Sequence, residues 1–118
     1  MKTQIRGKIG EDAAAKYLKK NGYTILERNF RKRFGELDII AQKENKIVFA
    51  EVKTRSSTAF GMPSEYVNLK KQQKIIKTAQ SYLSEKNLDP EISFDVFEVI
   101  ISGLKVVSLN HIENAFYS

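Results

Sequence analysis

Apolar positions recur at a helical interval early in the chain. Ala13, Ala14, Tyr17 and Leu18 fall on one face, while Lys16, Lys19 and Lys20 lie towards the other. This spacing predicts a helix from Gly10 to Lys20, stopped by Asn21-Gly22. Tyr23 to Arg31 is rich in β-formers and predicts a strand, followed by a basic turn through Arg31-Lys32-Arg33-Phe34-Gly35. Glu36–Gln42 and Lys46–Thr54 then read as two strands around a polar turn at Glu44-Asn45. A loop through Ser56-Ser57-Thr58 and Gly61-Met62-Pro63 leads to a long helix, from about Ser64 to Lys86. Its stripe of Leu69, Ile75, Ile76, Ala79, Tyr82 and Leu83 is expected to face the sheet. Phe94–Ile101 and Leu104–Leu109 read as strands on either side of a Ser102-Gly103 turn, and Ile112–Tyr117 as a short terminal helix. The order α-β-β-β-α-β-β-α indicates an α/β fold: a three-layer sandwich around a central mixed sheet.

The Glu44-Asn45 turn fixes a register for the two strands beside it. Lys43 pairs with Lys46, Gln42 with Ile47, and so on back to Asp38 opposite Glu51 and Glu36 opposite Lys53. Alternation then sorts the faces. Leu37, Ile39, Ala41, Val48, Ala50 and Val52 form one apolar face that packs on a helix. The other begins with Ile40 and Phe49 and ends with Glu36, Asp38, Glu51 and Lys53. A slip of one residue would destroy this sorting.

Composition narrows the setting. A chain of 118 residues suits one domain, and 42% hydrophobic content suits an ordinary core. The longest apolar runs are too short to span a bilayer, and Met1-Lys2-Thr3-Gln4 lacks the apolar stretch of a signal peptide. A cytoplasmic protein that does not enter membranes is the expectation. With no cysteine, disulfides and thiolate metal sites are excluded. The net charge of +6 suits a polyanionic partner, most plausibly nucleic acid. The excess is gathered in blocks: Lys2, Arg6 and Lys8; Arg28, Arg31, Lys32 and Arg33; Lys70, Lys71, Lys74 and Lys77.

The hairpin carries the candidate chemistry. Carboxylates facing each other on neighbouring strands repel. A divalent cation between Asp38 and Glu51 removes that conflict. Mg²⁺ takes hard oxygen ligands and commonly only one or two carboxylates, completed by water and substrate phosphate. The Val52 carbonyl is a further candidate ligand. Lys53 points to the same side as Glu51. A lysine among carboxylates has its pKa raised, so Lys53 reads as a cation that orients water and stabilises the transition state rather than as a general base. Glu-x-Lys on a strand is also a common surface ion pair.

These motifs resemble the bacterial YraN-like family. The matching residues are Gly35-Glu36-Leu37-Asp38-Ile39-Ile40-Ala41 and Phe49-Ala50-Glu51-Val52-Lys53-Thr54-Arg55. Before them stand Gly7-x-x-Gly10-Glu11, Ala14, Tyr17-Leu18 and Gly22-Tyr23-x-Ile25-Leu26-x-Arg28-Asn29. After them come Gly61-x-Pro63, Lys71-Gln72, Ala79, Tyr82-Leu83, Phe94-Asp95-Val96 and His111-Ile112-x-x-Ala115-Phe116. That family is placed in the PD-(D/E)xK nuclease superfamily, near archaeal Holliday junction resolvases. The resemblance implies a restriction endonuclease-like core and a Mg²⁺- or Mn²⁺-dependent endonuclease. It would cut DNA, branched or damaged DNA included, leaving a 5′-phosphate and a 3′-hydroxyl. Asp38 and Glu51 match the metal-binding carboxylates, Lys53 the catalytic lysine, and Glu11 the first-helix glutamate of resolvase-like members. Leu37 stands where the superfamily label has proline. Resolvase-like folds often dimerise, so a homodimer is an allowed assembly.

Other residues carry two readings each. Glu11 sits at the edge of the first helix's apolar face, as a metal ligand (direct or through water) or as a favourable charge near a helix N-terminus. Glu36 is a supporting ligand or a partner for Lys53. Gln72 shares the stripe of Ile75, Ile76 and Ala79, reaching the site or staying at the core edge. Arg31, Lys32, Arg33 and Arg55 flank the carboxylates and are candidate phosphate contacts, or a solvated basic loop. His111 is the only histidine and reads as structural, which disfavours a His-metal centre. Two further classes remain: a nucleic-acid-binding module with a vestigial site, and a structural protein whose hairpin makes only ion pairs.

Overall fold

The chain begins with a long helix, α1 (Lys2–Lys20), that crosses one face of a five-stranded sheet. After it come β1 (Thr24–Lys32), β2 (Gly35–Lys43), β3 (Lys46–Ser56), α2 (Leu69–Lys86), β4 (Glu91–Ser102) and β5 (Lys105–Phe116). This computed structural model describes residues 2–57 and 67–117. Thr58, Gly61-Met62-Pro63 and the expected helix start at Ser64 lie outside the described residues.

α1 extends further towards the N-terminus than the apolar spacing predicts, and so includes Gly7 and Gly10. Gly10 has a packing reason to be glycine. A Cβ there would stand 1.8 Å from Oγ1 of Thr54 on β3, so the helix backbone rests directly on the strand. The Asn68 side chain caps α2 by accepting from the Lys71 N–H. Asn87 closes it in the left-handed conformation, its N–H reaching the Leu83 and Ser84 carbonyls.

The strand order is β1-β2-β3-β4-β5, antiparallel except for the parallel β3–β4 pair joined through α2. The sheet is therefore mixed, as predicted. On the α1 face, Ala14, Ala15 and Leu18 pack on Ile39, Ala41, Val48, Ala50 and Phe97. On the α2 face, Ile75, Ala79 and Tyr82 pack on Leu37, Ile40, Ile47, Phe49, Phe94 and Val96. Gly35 allows the start of β2 to lie against α2, where a Cβ would stand 2.8 Å from Thr78 Oγ1.

The predicted hairpin register holds from Lys43↔Lys46 back to Ile39↔Ala50, and the described ladder ends there. β3 pairs with β4 along its whole length, and beyond Ala50 that is its only described ladder: Lys53 registers against Glu98 on β4 and has no ladder partner at Glu36. The face assignment needs one correction. Leu37 belongs to the α2 core, although it stands two residues from Ile39 in the α1 core. The neighbouring strand does the same, with Arg28 registered on Ile39 and Phe30 on Leu37. Between them Asn29 takes φ 53°. A left-handed residue turns the chain out of its pleat, and asparagine tolerates that conformation. Both strands therefore change face at the level of Asn29 and Asp38.

The predicted terminal helix is a second correction. Ile112–Phe116 is the end of β5. β4 advances two residues, from Phe94 to Val96, while β5 advances four, from Phe116 to Ile112. The extra residues form a bulge around Asn114, at φ 50°. Ile112 and Phe116 thereby reach the same core at an i, i+4 spacing that mimics a helix.

Candidate functional site

The parting of β2 from β3 is what builds the site. With the ladder ended at Ile39↔Ala50, the Val52 N–H is free of β2 backbone and donates to Asp38 Oδ2 at 2.8 Å. Asp38 thus reaches across the gap towards β3 instead of facing Glu51 as a ladder pair. Glu51 is registered against Val96 of β4, and its side chain is 7% exposed. Glu51 Oε2 is buried with no hydrogen-bond partner among the described residues.

Around this pair opens a cavity of about 560 Å³. Asp38, Glu51 and Val52 form its floor, with Glu11 entering from α1 and Gly35 and Glu36 from the start of β2. Lys70, Lys71, Lys74 and Ile75 close it from α2. Burial pushes the Asp38 carboxyl up to about 7, with help from the Glu51 charge and from a hydrogen bond that protonated Asp38 can give Glu51. The Val52 N–H opposes the shift. Burial and the Asp38 charge also raise Glu11, against an Asn29 hydrogen bond and the Arg28 charge that lower it. Arg28 lies 3.8 Å from Glu11 and 2.8 Å from Asp12.

Glu11, Glu36, Asp38, Glu51 and Val52 are therefore brought together around one cavity. Lys53 is not among the described residues lining it, nor are Gln72 and Arg55. Gln72 donates to the Val67 carbonyl at 2.7 Å, tying down the chain ahead of α2. Glu36 takes the Arg31 guanidinium at 2.9 Å. Lys32 is paired with Glu85 at 2.6 Å. A groove of about 320 Å³ runs past Arg31, Lys32, Arg33 and Phe34 and shares Gly35, Glu36 and Lys74 with the cavity.

The residue that sequence reasoning passed over is Lys71. Its Nζ lies 3.1 Å from Glu51 Oε1. Burial alone would lower its pKa, but Glu51, Asp38 and Glu36 together raise it, so the ammonium is firmly protonated. The signal was present: Lys71 precedes the buried Ile75 by four residues and so stands above it on the same helix face.

The donor set suits a hard divalent cation: two close carboxylates, one with an unpartnered oxygen, and a backbone carbonyl nearby. Among the described residues no group of three acidic, histidine or cysteine side chains is already placed for metal ligation. Two carboxylates with water are enough for Mg²⁺, and the oxygen-only set is wrong for softer metals. No helix among the described residues is long and apolar enough to cross a membrane.

The chain has similar relatives along nearly its whole length. A UPF0102 protein of Caldanaerobacter subterraneus subsp. tengcongensis is 50% identical over 113 residues, covering 93% of each chain. One from Persephonella marina is 47% identical, covering 95% of this chain and 93% of its own. One from Clostridium botulinum strain 657 is 51% identical, covering 93% and 92%. The family model described as "Uncharacterised protein family UPF0102" matches residues 10–99, from the Gly10–Thr54 contact through the carboxylate pair to β4, and the chain belongs to that family.

Proposed function

We propose that this protein is a metal-dependent nuclease that hydrolyses phosphodiester bonds in DNA, with a PD-(D/E)xK-type site on a restriction endonuclease-like core. The observation that carries this reading is the Asp38–Glu51 pair: Glu51 buried and Asp38 partly buried, mutually repelling, one Glu51 oxygen without a partner among the described residues, and open to a cavity rimmed by lysines. A buried polar group left unsatisfied is costly, and such deficits concentrate where a ligand completes the structure. The element order α1-β1-β2-β3-α2-β4 and the resemblance of the two motif strands to YraN-like proteins support it further.

Asp38, Glu51 and the Val52 carbonyl would hold Mg²⁺ or Mn²⁺, with Glu11 placed to hold a coordinated water. The metal supplies an acidified water and charge neutralisation at the phosphate. The protein's own groups do the rest. The Val52 N–H orients Asp38, and the sheet fixes Glu51. Lys53, two residues along β3, supplies positive charge beside the site. Arg33, Lys70 and Lys74 form no ion pair among the described residues, so they are available to phosphates. Arg31 and Lys32 are already engaged by Glu36 and Glu85, which makes them secondary contacts.

The test uses supercoiled, single-stranded and four-way-junction DNA with Mg²⁺ or Mn²⁺. Cleavage by the wild type should fall by about a thousandfold or more in Asp38→Asn and Glu51→Gln. No cutting of any substrate, with no metal-induced thermal shift, overturns the proposal. Binding with a steep salt dependence and no cutting in either metal selects the binding-module reading instead.

A further inference from the structure

Lys71 and Glu51 meet under conditions that an ordinary surface ion pair does not share. Glu51 is nearly sealed in the sheet, whereas the Lys71 side chain is 51% exposed on the first turn of α2. The carboxylate is fixed and the ammonium sits on a flexible four-carbon stem. Lys71 satisfies Oε1 only, leaving Oε2 unpartnered. A divalent cation bound by Glu51 and Asp38 would compete for the charge that Lys71 now neutralises. Lys70 and Lys74 line the same cavity without an ion pair among the described residues, so there the contact belongs to Lys71 rather than to the helix as a whole.

We propose that Lys71 is a built-in counter-ion: its ammonium neutralises Glu51 in the metal-free protein and must be displaced when a divalent cation enters. This rests on the metal-site reading above and adds to it a positioning residue. The lysine keeps the buried Glu51 and the partly buried Asp38 from facing each other with no positive charge between them. It also raises the concentration of metal needed to load the site. Once displaced, it remains at the cavity mouth, facing incoming phosphate.

Calorimetric titration of Mn²⁺ into the full chain tests this without DNA. Methionine keeps the helix propensity and length of lysine, and the side chain is half exposed, so Lys71→Met should fold. Lys71→Met is expected to bind Mn²⁺ about fivefold more tightly, the equivalent of one ion pair no longer broken. Lys71→Arg should return to within about twofold of wild type. Removing a positive charge also strengthens cation binding at a distance, so Lys74→Met is the control, expected to change affinity by about twofold at most. Lys71→Met binding no more tightly than wild type overturns the proposal, as does an equal gain in Lys74→Met. If no form takes up Mn²⁺, the metal-site reading falls with it. If the wild type binds Mn²⁺ but cuts no DNA, only the nuclease reading fails and the affinity ratio still decides.

Discussion

Asp38 on β2 and Asp95 on β4 are carboxylates drawn into the same sheet, and their surroundings drive them in opposite directions. Asp95 is 1% exposed. Burial would raise its pKa, but His111, Ser93 and the Asn114 N–H more than offset that and hold it below the usual carboxylate range. His111 Nε2 lies 2.6 Å from one oxygen, while the Asn114 N–H, at 3.1 Å, and the Ser93 hydroxyl donate to the other. Phe97 stacks on the His111 ring and Tyr17 meets it edge-on, so the network is walled in. Asp38 receives one N–H and faces another acid. The network around Asp95 is complete within the protein, whereas the pair at Asp38 is short of positive charge. Completeness suits a structural role and a deficit suits a binding role.

The largest expected effect breaks the complete network. Asp95→Ala strands His111, Ser93 and the Asn114 N–H together and should destabilise the fold by about 3 kcal/mol, measured by urea unfolding. A loss below about 1 kcal/mol would mean that water satisfies these groups and that the contrast with Asp38 is overstated.

A smaller effect comes from α1, which touches both regions through Tyr17 and Glu11. Gly10→Ala drives a methyl into Thr54 and should cost about 2 kcal/mol. Adding Thr54→Ala opens the space and should recover about half of that loss, read as coupling in a double-mutant cycle. Additive effects would place the strain elsewhere.

The smallest effect has the opposite sign. Asp38 has a folded pKa of about 7, above the unfolded value of about 4. Its favourable contribution is therefore full below about pH 4 and lost as pH rises through 7. Asp38→Asn keeps an acceptor for the Val52 N–H and removes that loss. In chelator it should stabilise the protein by about 1.5 kcal/mol at pH 8, with the gain vanishing near pH 4. Destabilisation at pH 8 would show that Lys71 alone offsets both carboxylates and leaves no deficit at Asp38. Asp95 has the reverse linkage: its contribution is present above about pH 4 and fades as pH falls further.

Much of this was readable from the chain. The Glu44-Asn45 turn fixed the β2–β3 register, which brought Asp38 and Glu51 to the same end of the hairpin. Two misreadings share one cause. Leu37 lies on the α2 side rather than with Ile39, and the helix expected over Ile112–Tyr117 is largely strand, because Asn29 and Asn114 adopt left-handed backbone angles that shift the pleat. Alternation rules assume an uninterrupted strand, and a single asparagine in that conformation breaks them without any signature of its own. Lys71 escaped for a different reason. The charges nearest the motif along the chain are Arg31, Lys32, Arg33 and Arg55, whereas the described ion-pair partner of Glu51 arrives from a helix begun 18 residues later.

The bulge at Asn114 also bears on self-association. β5 is one of the two outer strands of the sheet among the described residues, β1 being the other, and a long outer strand invites another chain to add to it. At Asn114 the backbone leaves the regular row and turns its N–H inward to Asp95, so an added strand would find no continuous line of donors and acceptors there. The residue that completes the buried network also spoils, at the β5 edge, the template that would let the sheet grow from molecule to molecule.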